Sequence, residues 1–245
     1  MESRLSIVIP VYNEGANFPG LWDAIRIQIQ VPFQAYVIYD FDHDDTLEPA
    51  RKIIHQGEHR LALIKNSTGR GVLGAILTGF NQVKQGPVLV VMADLCDDLS
   101  RVPAMLELYT QGNHIVAGSR YMIGGGIENG PFLKQTLSRL GSLSLHWLRG
   151  IPTHDATNAF KIYDAEMLRT FNFESRGGFE LNLEITIKAF LAGYRIAEIP
   201  SVWRERTQGK SRFRLWSWLP RYLYWFVYAF RPRSKLQRTI LDAQG

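Results

Sequence analysis

Short apolar runs alternate with segments of helical periodicity along the first half of the chain. The apolar runs are rich in β-branched residues and predict strands at residues 5–11, 35–39, 61–64, 87–92 and 115–119. The helical periodicity predicts helices near residues 16–28, 47–55, 72–83 and 102–111. Nearly continuous hydrophobicity in strands that alternate with helices is typical of a mostly parallel sheet covered on both faces. The pattern therefore predicts an α/β fold with a single Rossmann-like sheet flanked by helices.

The same patterns continue, more weakly, in the second half. After a glycine run at 124–126, they predict a helix near 133–148, a strand near 157–162, a helix near 181–192 and a strand near 196–202. We divide the chain into one domain at 1–212 and an amphipathic segment at 213–245. A single cysteine, Cys96, excludes a framework of internal disulfides.

Polar residues follow the predicted strands, where ligands bind in open parallel sheets. The first acidic cluster, residues 40–46, carries four carboxylates after the second strand. It is interpreted either as a loop that caps the next helix through Asp45 or Thr46, or as a contact for a ribose or base.

A second acidic cluster, residues 92–98, ends the very hydrophobic fourth strand. Carboxylate oxygens in this position suit Mg²⁺ or Mn²⁺, which bridge to phosphate oxygens. The alternative is again helix capping, by Asp98 or Ser100. The spacing of Cys and His residues does not match a zinc site.

The net charge of +5 is unevenly distributed. Residues 1–203 carry 18 basic and 21 acidic side chains, a net of −3, whereas residues 204–245 carry 10 and 2, a net of +8. The basic segment holds eight aromatic residues between positions 215 and 230. Aromatic and basic residues together are typical of segments that lie on anionic membrane surfaces, which we predict for 213–238. Packing on the domain and a homo-oligomer interface are the alternatives, and nucleic acid is not an expected partner.

Residues 69–74 fit the pattern G-x-G-x-x-G, after a strand and before a helix. Such a pattern is one feature of dinucleotide-binding oxidoreductases. It normally occupies the first strand–helix turn, and here it follows the third strand. The oxidoreductase interpretation is therefore disfavoured.

Six segments, taken in order, resemble motifs of family 2 glycosyltransferases, which share the GT-A fold. They are Ser6-Ile-Val-Ile-Pro-Val-Tyr-Asn-Glu14, the glycine-rich stretch 69–80, residues 90–98, Ala117-Gly-Ser-Arg-Tyr121, Asp155-Ala-Thr-Asn-Ala-Phe-Lys-Ile-Tyr163, and Arg206-Thr-Gln-Gly-Lys-Ser-Arg212. The later segments resemble the dolichol-phosphate mannosyltransferase-like branch, which glycosylates polyprenyl phosphates. The resemblance covers about residues 5–215.

The resemblance implies roles for individual residues. Those implied to bind the nucleotide-sugar are Pro10, Tyr12, Glu14, Asp40, Asp42, Asp45, Gly71 and Asp94. Those implied to bind the acceptor or the diphosphate are Arg120, Arg139, Arg206, Lys210 and Ser211. Asp94, Asp155 and Arg120 are the candidate catalytic residues, and Asp94 and Asp97 the candidate metal ligands for Mg²⁺ or Mn²⁺. Asp155 is a candidate either to contact a sugar hydroxyl or to orient an arginine.

Two positions depart from the family pattern. Phe41 replaces the second Asp of the base-binding loop, and Asp42 is a candidate to compensate for it. Met92 replaces the first Asp of the D-x-D motif, and Cys96 stands where a Gln ligand is common. The second departure bears on metal binding, and Asp97 or Asp98 is the candidate to supply the missing ligand. If neither does, metal binding weakens, catalysis is independent of metal, or the protein is inactive.

The expected function is transfer of a sugar, with inversion, from a UDP- or GDP-sugar to a polyprenyl phosphate. A phosphate acceptor is already largely ionised near neutral pH, so it needs positioning by arginines more than a general base. The enzyme is expected to be peripheral, on the cytoplasmic face of the membrane. The alternatives are a family 2 enzyme that glycosylates a saccharide and a catalytically impaired protein that binds nucleotide-sugars.

Overall fold

A computed structural model of the protein describes residues 4–130, 132–205 and 215–232. Side chains are described for these residues except 132–134 and 215–218. Among the described residues, no helix is long and apolar enough to cross a membrane.

A seven-stranded sheet forms the centre of the fold, in the order β3-β2-β1-β4-β7-β5-β8. All its neighbouring strands are parallel except β7, which is antiparallel to β4 and β5. Its strands are β1 (Leu5–Pro10), β2 (Phe33–Tyr39), β3 (Leu61–Lys65), β4 (Pro87–Val90), β5 (Ile115–Ser119), β7 (Lys161–Asp164) and β8 (Ile196–Pro200). A separate parallel pair joins β6 (Gly126–Glu128) to β9 (Val202–Arg204). The predicted mostly parallel α/β fold is confirmed.

Helices cover both faces of this sheet. They are α1 (Phe18–Gln28), α2 (Leu47–His55), α3 (Val72–Gln82), α4 (Val102–Thr110), α5 (Phe132–Arg149), α6 (Ala165–Arg169), α7 (Leu181–Ala192) and α8 (Leu215–Tyr228). A short 3-10 turn, Leu99–Arg101, precedes α4.

Two hydrophobic cores lie on opposite faces of the sheet because successive strand side chains point to opposite sides. Val8 packs with residues of α3 and α7 on one face. Ile7 and Ile9 pack with Leu21 and Trp22 of α1 on the other. These strands are buried on both faces, which explains their nearly continuous hydrophobicity.

Two predicted strands in the second half are wrong in extent. Residues 157–160 form a loop, and the strand begins at Lys161. The Asn158 backbone N–H donates to the Asp155 carboxylate instead of to a neighbouring strand, and Asn158 Nδ2 donates to the Gly118 carbonyl. The strand predicted at 196–202 is two strands that separate at Ser201. The Ser201 backbone N–H donates to Ser119 and its carbonyl accepts from Gly126, which directs β9 onto β6. The short elements β6 and α6 were not predicted.

Helix α8 packs against α5 and α7. Trp225 is 2% exposed, and the Lys188 ammonium of α7 lies 5.3 Å from the centre of its ring. Arg149, the last residue of α5, donates from Nε to the Ala229 carbonyl at 2.7 Å. The inner face of the basic segment is therefore part of the core. Residues 233–238 lie outside the described residues.

Candidate functional site

The predicted site residues converge at one edge of the sheet. Parallel strands β1, β2, β4 and β5 end at this edge, and antiparallel β7 begins there. The loops that follow the four parallel strands therefore meet the loop 155–160 that precedes β7. This is the edge at which open α/β sheets bind ligands.

The loops after β1 and β2 are joined by hydrogen bonds. The backbone N–H of Asn13 donates to the buried Asp44 carboxylate at 3.1 and 3.2 Å. Glu14 N–H donates to the Thr46 hydroxyl at 2.9 Å, and Gly15 N–H to Asp45 Oδ1 at 2.8 Å. Thus the acidic cluster, which includes the predicted residue Asp45, shapes the opening loop.

Asp40 anchors the glycine-rich loop before α3. Its Oδ1 accepts from Asn66 Nδ2 at 2.7 Å and its Oδ2 from the Gly71 N–H at 2.8 Å. Asn66 in turn accepts from the Thr78 hydroxyl at 2.8 Å. Gly74 is required where the chain closes on itself, because a Cβ there would lie 1.5 Å from the Gly69 carbonyl oxygen. Asp40 and Gly71 therefore form one structural unit.

An aromatic corner lies beside this unit. The rings of Tyr12 and Phe41 meet edge to face with centroids 5.4 Å apart, and Tyr12 is 44% exposed. Phe41, which departs from the family pattern, thus extends an apolar wall next to Tyr12. Asp42 forms an exposed ion pair with Lys65 at 2.6 Å, and this hydrogen bond lowers the pKa of Asp42.

Two other predicted residues complete this side of the edge. Pro10 is the buried last residue of β1. The Glu14 carboxylate accepts from Asn17 Nδ2 at 2.7 Å, just before α1. Both therefore position the loop that carries Tyr12.

The loop after β4 turns sharply at Leu95, whose φ of 60° lies in the left-handed region. This turn lets Asp94 Oδ1 accept from the Cys96 N–H at 3.3 Å. The Oδ2 of Asp97 is buried without a hydrogen-bond partner among the described residues. Burial, with a smaller contribution from the Asp94 charge, raises the pKa of Asp97 to about 7.

The loop after β4 suits a divalent cation bound with few protein ligands. Mg²⁺ is held in many sites by one or two carboxylates together with substrate phosphates and water. The unpartnered oxygen of Asp97 beside Asp94 matches such a donor set, and a cation would offset the burial of that carboxylate. Nowhere in the described ranges do three or more His, Cys, Asp or Glu side chains form a metal-binding group.

Arg120 and Asp155 form a buried bidentate ion pair across the edge. Arg120 donates from Nε to Oδ2 at 2.6 Å and from Nη2 to Oδ1 at 2.9 Å, and Asp155 is fully buried. Burial opposes ionisation of both groups, but their mutual attraction prevails, so the pKa of Asp155 is lowered and that of Arg120 raised. Both groups are therefore charged at neutral pH.

Hydroxyl and amide groups surround this pair. Thr157 Oγ1 lies 3.3 Å from Arg120 Nη2 and 2.9 Å from the hydroxyl of Ser138 on α5. The Asn158 N–H donates to Asp155 Oδ1 at 3.2 Å. Within the described part of the chain, these contacts use Nε and Nη2 of Arg120. None of these contacts among the described residues uses Nη1, and its two N–H groups are of the kind that donate to anions.

Lys161 lies beneath the ion pair and is fully buried. Its ammonium donates to the carbonyls of Ala156, at 3.1 Å, and Asn158. Burial lowers the pKa of Lys161 to about 7. The two hydrogen bonds of Lys161 therefore hold in place the loop that contains Asp155.

The remaining predicted residues are placed only in part. Arg139 is exposed on α5, next to Ser138. Arg206, Lys210 and Ser211 lie outside the described residues. The Arg204 N–H donates to the Cys96 carbonyl at 3.0 Å, which brings the end of β9 to the loop after β4.

The sequence interpretation missed several residues that shape this edge, above all Asp44, Asn66 and Lys161. A signal existed for Asn66, because it directly follows β3, as the predicted residues follow β1, β2 and β4. Asp44 belonged to the acidic cluster but was not distinguished from its neighbours. Nothing in the local sequence distinguishes a buried Lys161 from an exposed lysine.

The chain is similar to known proteins over most of its length. The family described as "Glycosyl transferase family 2" matches residues 6–171. The chain is 29% identical over 217 residues to a dolichol-phosphate mannosyltransferase of Pyrococcus furiosus, covering 86% of this chain and 59% of that protein. It is 27% identical over 215 residues to a polyprenol monophosphomannose synthase of Mycolicibacterium smegmatis, covering 85% and 80%. The chain thus spans less than two thirds of the length of the Pyrococcus protein.

Solved structures share the fold. The glucosyl-3-phosphoglycerate synthase of Mycobacterium tuberculosis, crystallised with Mn²⁺, UDP-glucose and phosphoglyceric acid, superposes with a TM-score of 0.69. The identity is 16%, and the match covers 96% of this chain and 82% of that one. A complex of the same enzyme with Mn²⁺, UDP and glucosyl-3-phosphoglycerate gives a TM-score of 0.65 at 18% identity, over 93% and 78%. At this identity the likeness supports the GT-A fold. The family match spans most of the chain and includes the loops that follow β1 to β5 and the loop before β7, so the protein belongs to glycosyl transferase family 2.

Proposed function

We propose that the protein transfers a sugar, with inversion, from a UDP- or GDP-sugar to a polyprenyl phosphate. The observation that carries the proposal is the buried Arg120–Asp155 pair, which presents a guanidinium fork at the ligand-binding edge of the sheet. Two relatives whose names specify dolichol phosphate and polyprenol support this class of acceptor.

The donor would occupy the side of the edge formed by the loops after β1, β2 and β3. Tyr12 and Phe41 offer an aromatic corner for a nucleobase. Asp40 holds Gly71 at the start of α3, and this helix start faces the same edge. Helix amino termini favour the negative charge of phosphate groups.

Asp94 and Asp97 would hold Mg²⁺ or Mn²⁺. Bound there, the cation supplies positive charge that stabilises the diphosphate leaving group. The chain's own contribution is the left-handed turn at Leu95, which fixes the Asp94 loop in place. Since Met92 provides no carboxylate, the site has fewer charged ligands than the family pattern.

The acceptor phosphate would meet Arg120, with Arg139 and the segment containing Arg206, Lys210 and Ser211 as further contacts. Because phosphate monoesters are largely ionised near pH 7, the nucleophilic oxygen needs no general base. Asp155 is poorly placed to act as one, since both of its oxygens already accept hydrogen bonds from Arg120. Its role is to orient and charge-balance the arginine.

Membrane association would use the outer faces of α5 and α8. Leu223 and Val227 lie one helical turn apart on α8 and are 53% and 68% exposed. Phe230, two residues after the end of α8, is 47% exposed. On α5, Trp147 and Leu148 are 74% and 70% exposed. In the sequence, basic residues at 231–238 directly follow Phe230, and such residues favour an anionic bilayer surface. We place the protein on the cytoplasmic face, where it would act as a peripheral enzyme.

One observation favours a second candidate, a nucleotide-sugar binding protein with impaired catalysis. Met92 removes a ligand from the cation site, while the loops on the donor side keep their hydrogen bonds. Such a protein would bind donors without transferring sugar.

A donor screen tests the proposal. UDP- and GDP-sugars are offered with a short polyprenyl phosphate, with and without Mg²⁺ or Mn²⁺, and nucleotide release is measured. We expect release with one donor class that depends on both acceptor and metal. Binding without release supports the impaired protein, and release without metal contradicts the role of Asp94 and Asp97.

A further inference from the structure

Glu198 lies on β8 and contacts the loop that precedes Asp155. Its Oε2 accepts from the Thr153 hydroxyl at 3.1 Å and from the His154 backbone N–H at 2.8 Å. Its Oε1 pairs with Nδ1 of the same histidine. The side chain is 12% exposed. A single carboxylate therefore clamps the two residues that immediately precede Asp155.

One branch from this carboxylate leads to Arg120. The Thr153 hydroxyl must donate to Glu198, which leaves its lone pairs to accept from the Asp155 N–H at 3.0 Å. Asp155 then holds Arg120 in the bidentate pair. Thr153 and Asp155 are both fully buried, so this relay is shielded from water.

A second branch leads to α5. The His154 ring stacks on the His146 ring, with centroids 3.9 Å apart and 29° between the planes. His146 is tied through Nδ1 to the Ile151 carbonyl at 2.8 Å. Two helical turns before it, α5 carries Ser138, whose hydroxyl bonds Thr157 beside the Arg120 fork.

We propose that Glu198 is a positioning residue for the acceptor-phosphate site. It fixes the Asp155 loop and braces α5, and both set the direction of the Arg120 fork. Glu198 does not contact Arg120. It acts through Thr153 and Asp155 on one branch, and through His154 and α5 on the other. The inference rests on the proposed function, in which Arg120 binds the acceptor phosphate.

The test uses Glu198→Ala and Glu198→Gln in the full chain, each alone and combined with Asp155→Asn. The matched control is Glu107→Gln, a change at an exposed glutamate of α4. Displacement of a binding group by a fraction of an ångström is costly, so we expect Glu198→Ala to raise the acceptor KM about tenfold. The donor Kd should stay unchanged, and Glu198→Gln, which keeps an acceptor for Thr153, should be milder.

Non-additivity distinguishes positioning from general structural support. If Glu198 acts in part through Asp155, then Glu198→Ala raises the acceptor KM by a smaller factor when Asp155→Asn is present than when Asp155 is intact. Additive effects, or an acceptor KM equal to that of the control, would overturn the inference. Thermal unfolding of each variant identifies any that fail to fold, and Glu198→Gln then carries the test.

An NMR readout separates failure of this inference from failure of the proposed function. The Arg120 Nε–H is buried against Asp155 and gives a signal that can be followed without any acceptor. We expect Glu198→Ala to shift this signal and speed its hydrogen exchange, while Glu107→Gln leaves it unchanged. If the wild type transfers no sugar to polyprenyl phosphate but the signal moves, the proposed function fails and the positioning role stands. An unmoved signal refutes the role itself.

Discussion

Arg120 meets Asp155 side-on, with Nε 2.6 Å from Oδ2 and Nη2 2.9 Å from Oδ1, and the carboxylate is fully buried. Arg120 directly follows β5, and Asp155 lies in the loop before β7, the strand that is antiparallel to β5. The ion pair therefore links these two parts of the chain. Removing the carboxylate from such a buried pair lowers the free energy of unfolding strongly, because the positive charge of the arginine is then left uncompensated.

Asp155→Asn should therefore lower the free energy of unfolding by about 3 kcal/mol at neutral pH. Asp23→Asn is the matched control, since the Asp23–Arg26 pair is exposed and its loss should cost less than about 0.5 kcal/mol. The pKa of Asp155 is lowered in the folded state, so its contribution is present at neutral pH. It should disappear as the pH falls through that folded pKa. Urea titrations at neutral and acidic pH measure both effects, and equal losses in the two variants would contradict this assignment.

The contribution of Lys161 to the free energy of unfolding changes with pH in the same direction as that of Asp155, but in a higher pH range. Burial lowers its pKa from 10.5 to about 7, so between these values the unfolded chain binds more protons than the folded one. The wild type should consequently gain stability, relative to Lys161→Met, as the pH rises through this interval. Unfolding free energies at several pH values test the trend, and a constant difference between the two proteins would refute it.

Gly74→Ala should disrupt the glycine-rich loop. The added methyl would overlap the Gly69 carbonyl, so the loop must shift, at a cost of about 1–3 kcal/mol, and donor affinity should fall. Gly141→Ala on α5 is the control, because its Cβ meets nothing within 4 Å. That change should stabilise the helix by about 0.5–1 kcal/mol. Calorimetric titration with UDP and GDP measures the nucleotide affinity of both variants, and unfolding curves measure their stability. An unchanged nucleotide affinity in Gly74→Ala would be evidence against the proposed donor site.

The outer face of α8 should bind anionic vesicles. Replacing Leu223 and Val227 with serine removes two apolar side chains, and vesicle affinity should fall at least about tenfold. Ile27→Ser, at a 69% exposed isoleucine on α1, is the matched control. Co-sedimentation with vesicles containing phosphatidylserine measures the difference. Equal binding by both variants would exclude this face as the docking surface.

The sequence predicted the sheet and the loops that follow its strands because buried parallel strands carry a strong hydrophobic signal. It also identified Arg120 and Asp155, although through motif resemblance, which does not reveal that they pair. The relay from Glu198 through Thr153 was not predicted. Its members are separated by 45 residues and meet only through the pairing of β5 with β8 and the return of the chain before β7. Likewise, the loop at 157–160 was mistaken for strand because its apolar residues mask the turn made by Asp155 and Asn158.

The central claim is that the acceptor is a phosphate on a lipid. The most direct measurement offers a radiolabelled donor sugar to short polyprenyl phosphate and to the matching polyprenol, with Mg²⁺ or Mn²⁺ present. We expect a labelled lipid only from the phosphate, and we expect mild acid to release its sugar. Equal transfer to the polyprenol, or an acid-stable glycoside, would contradict the proposed acceptor.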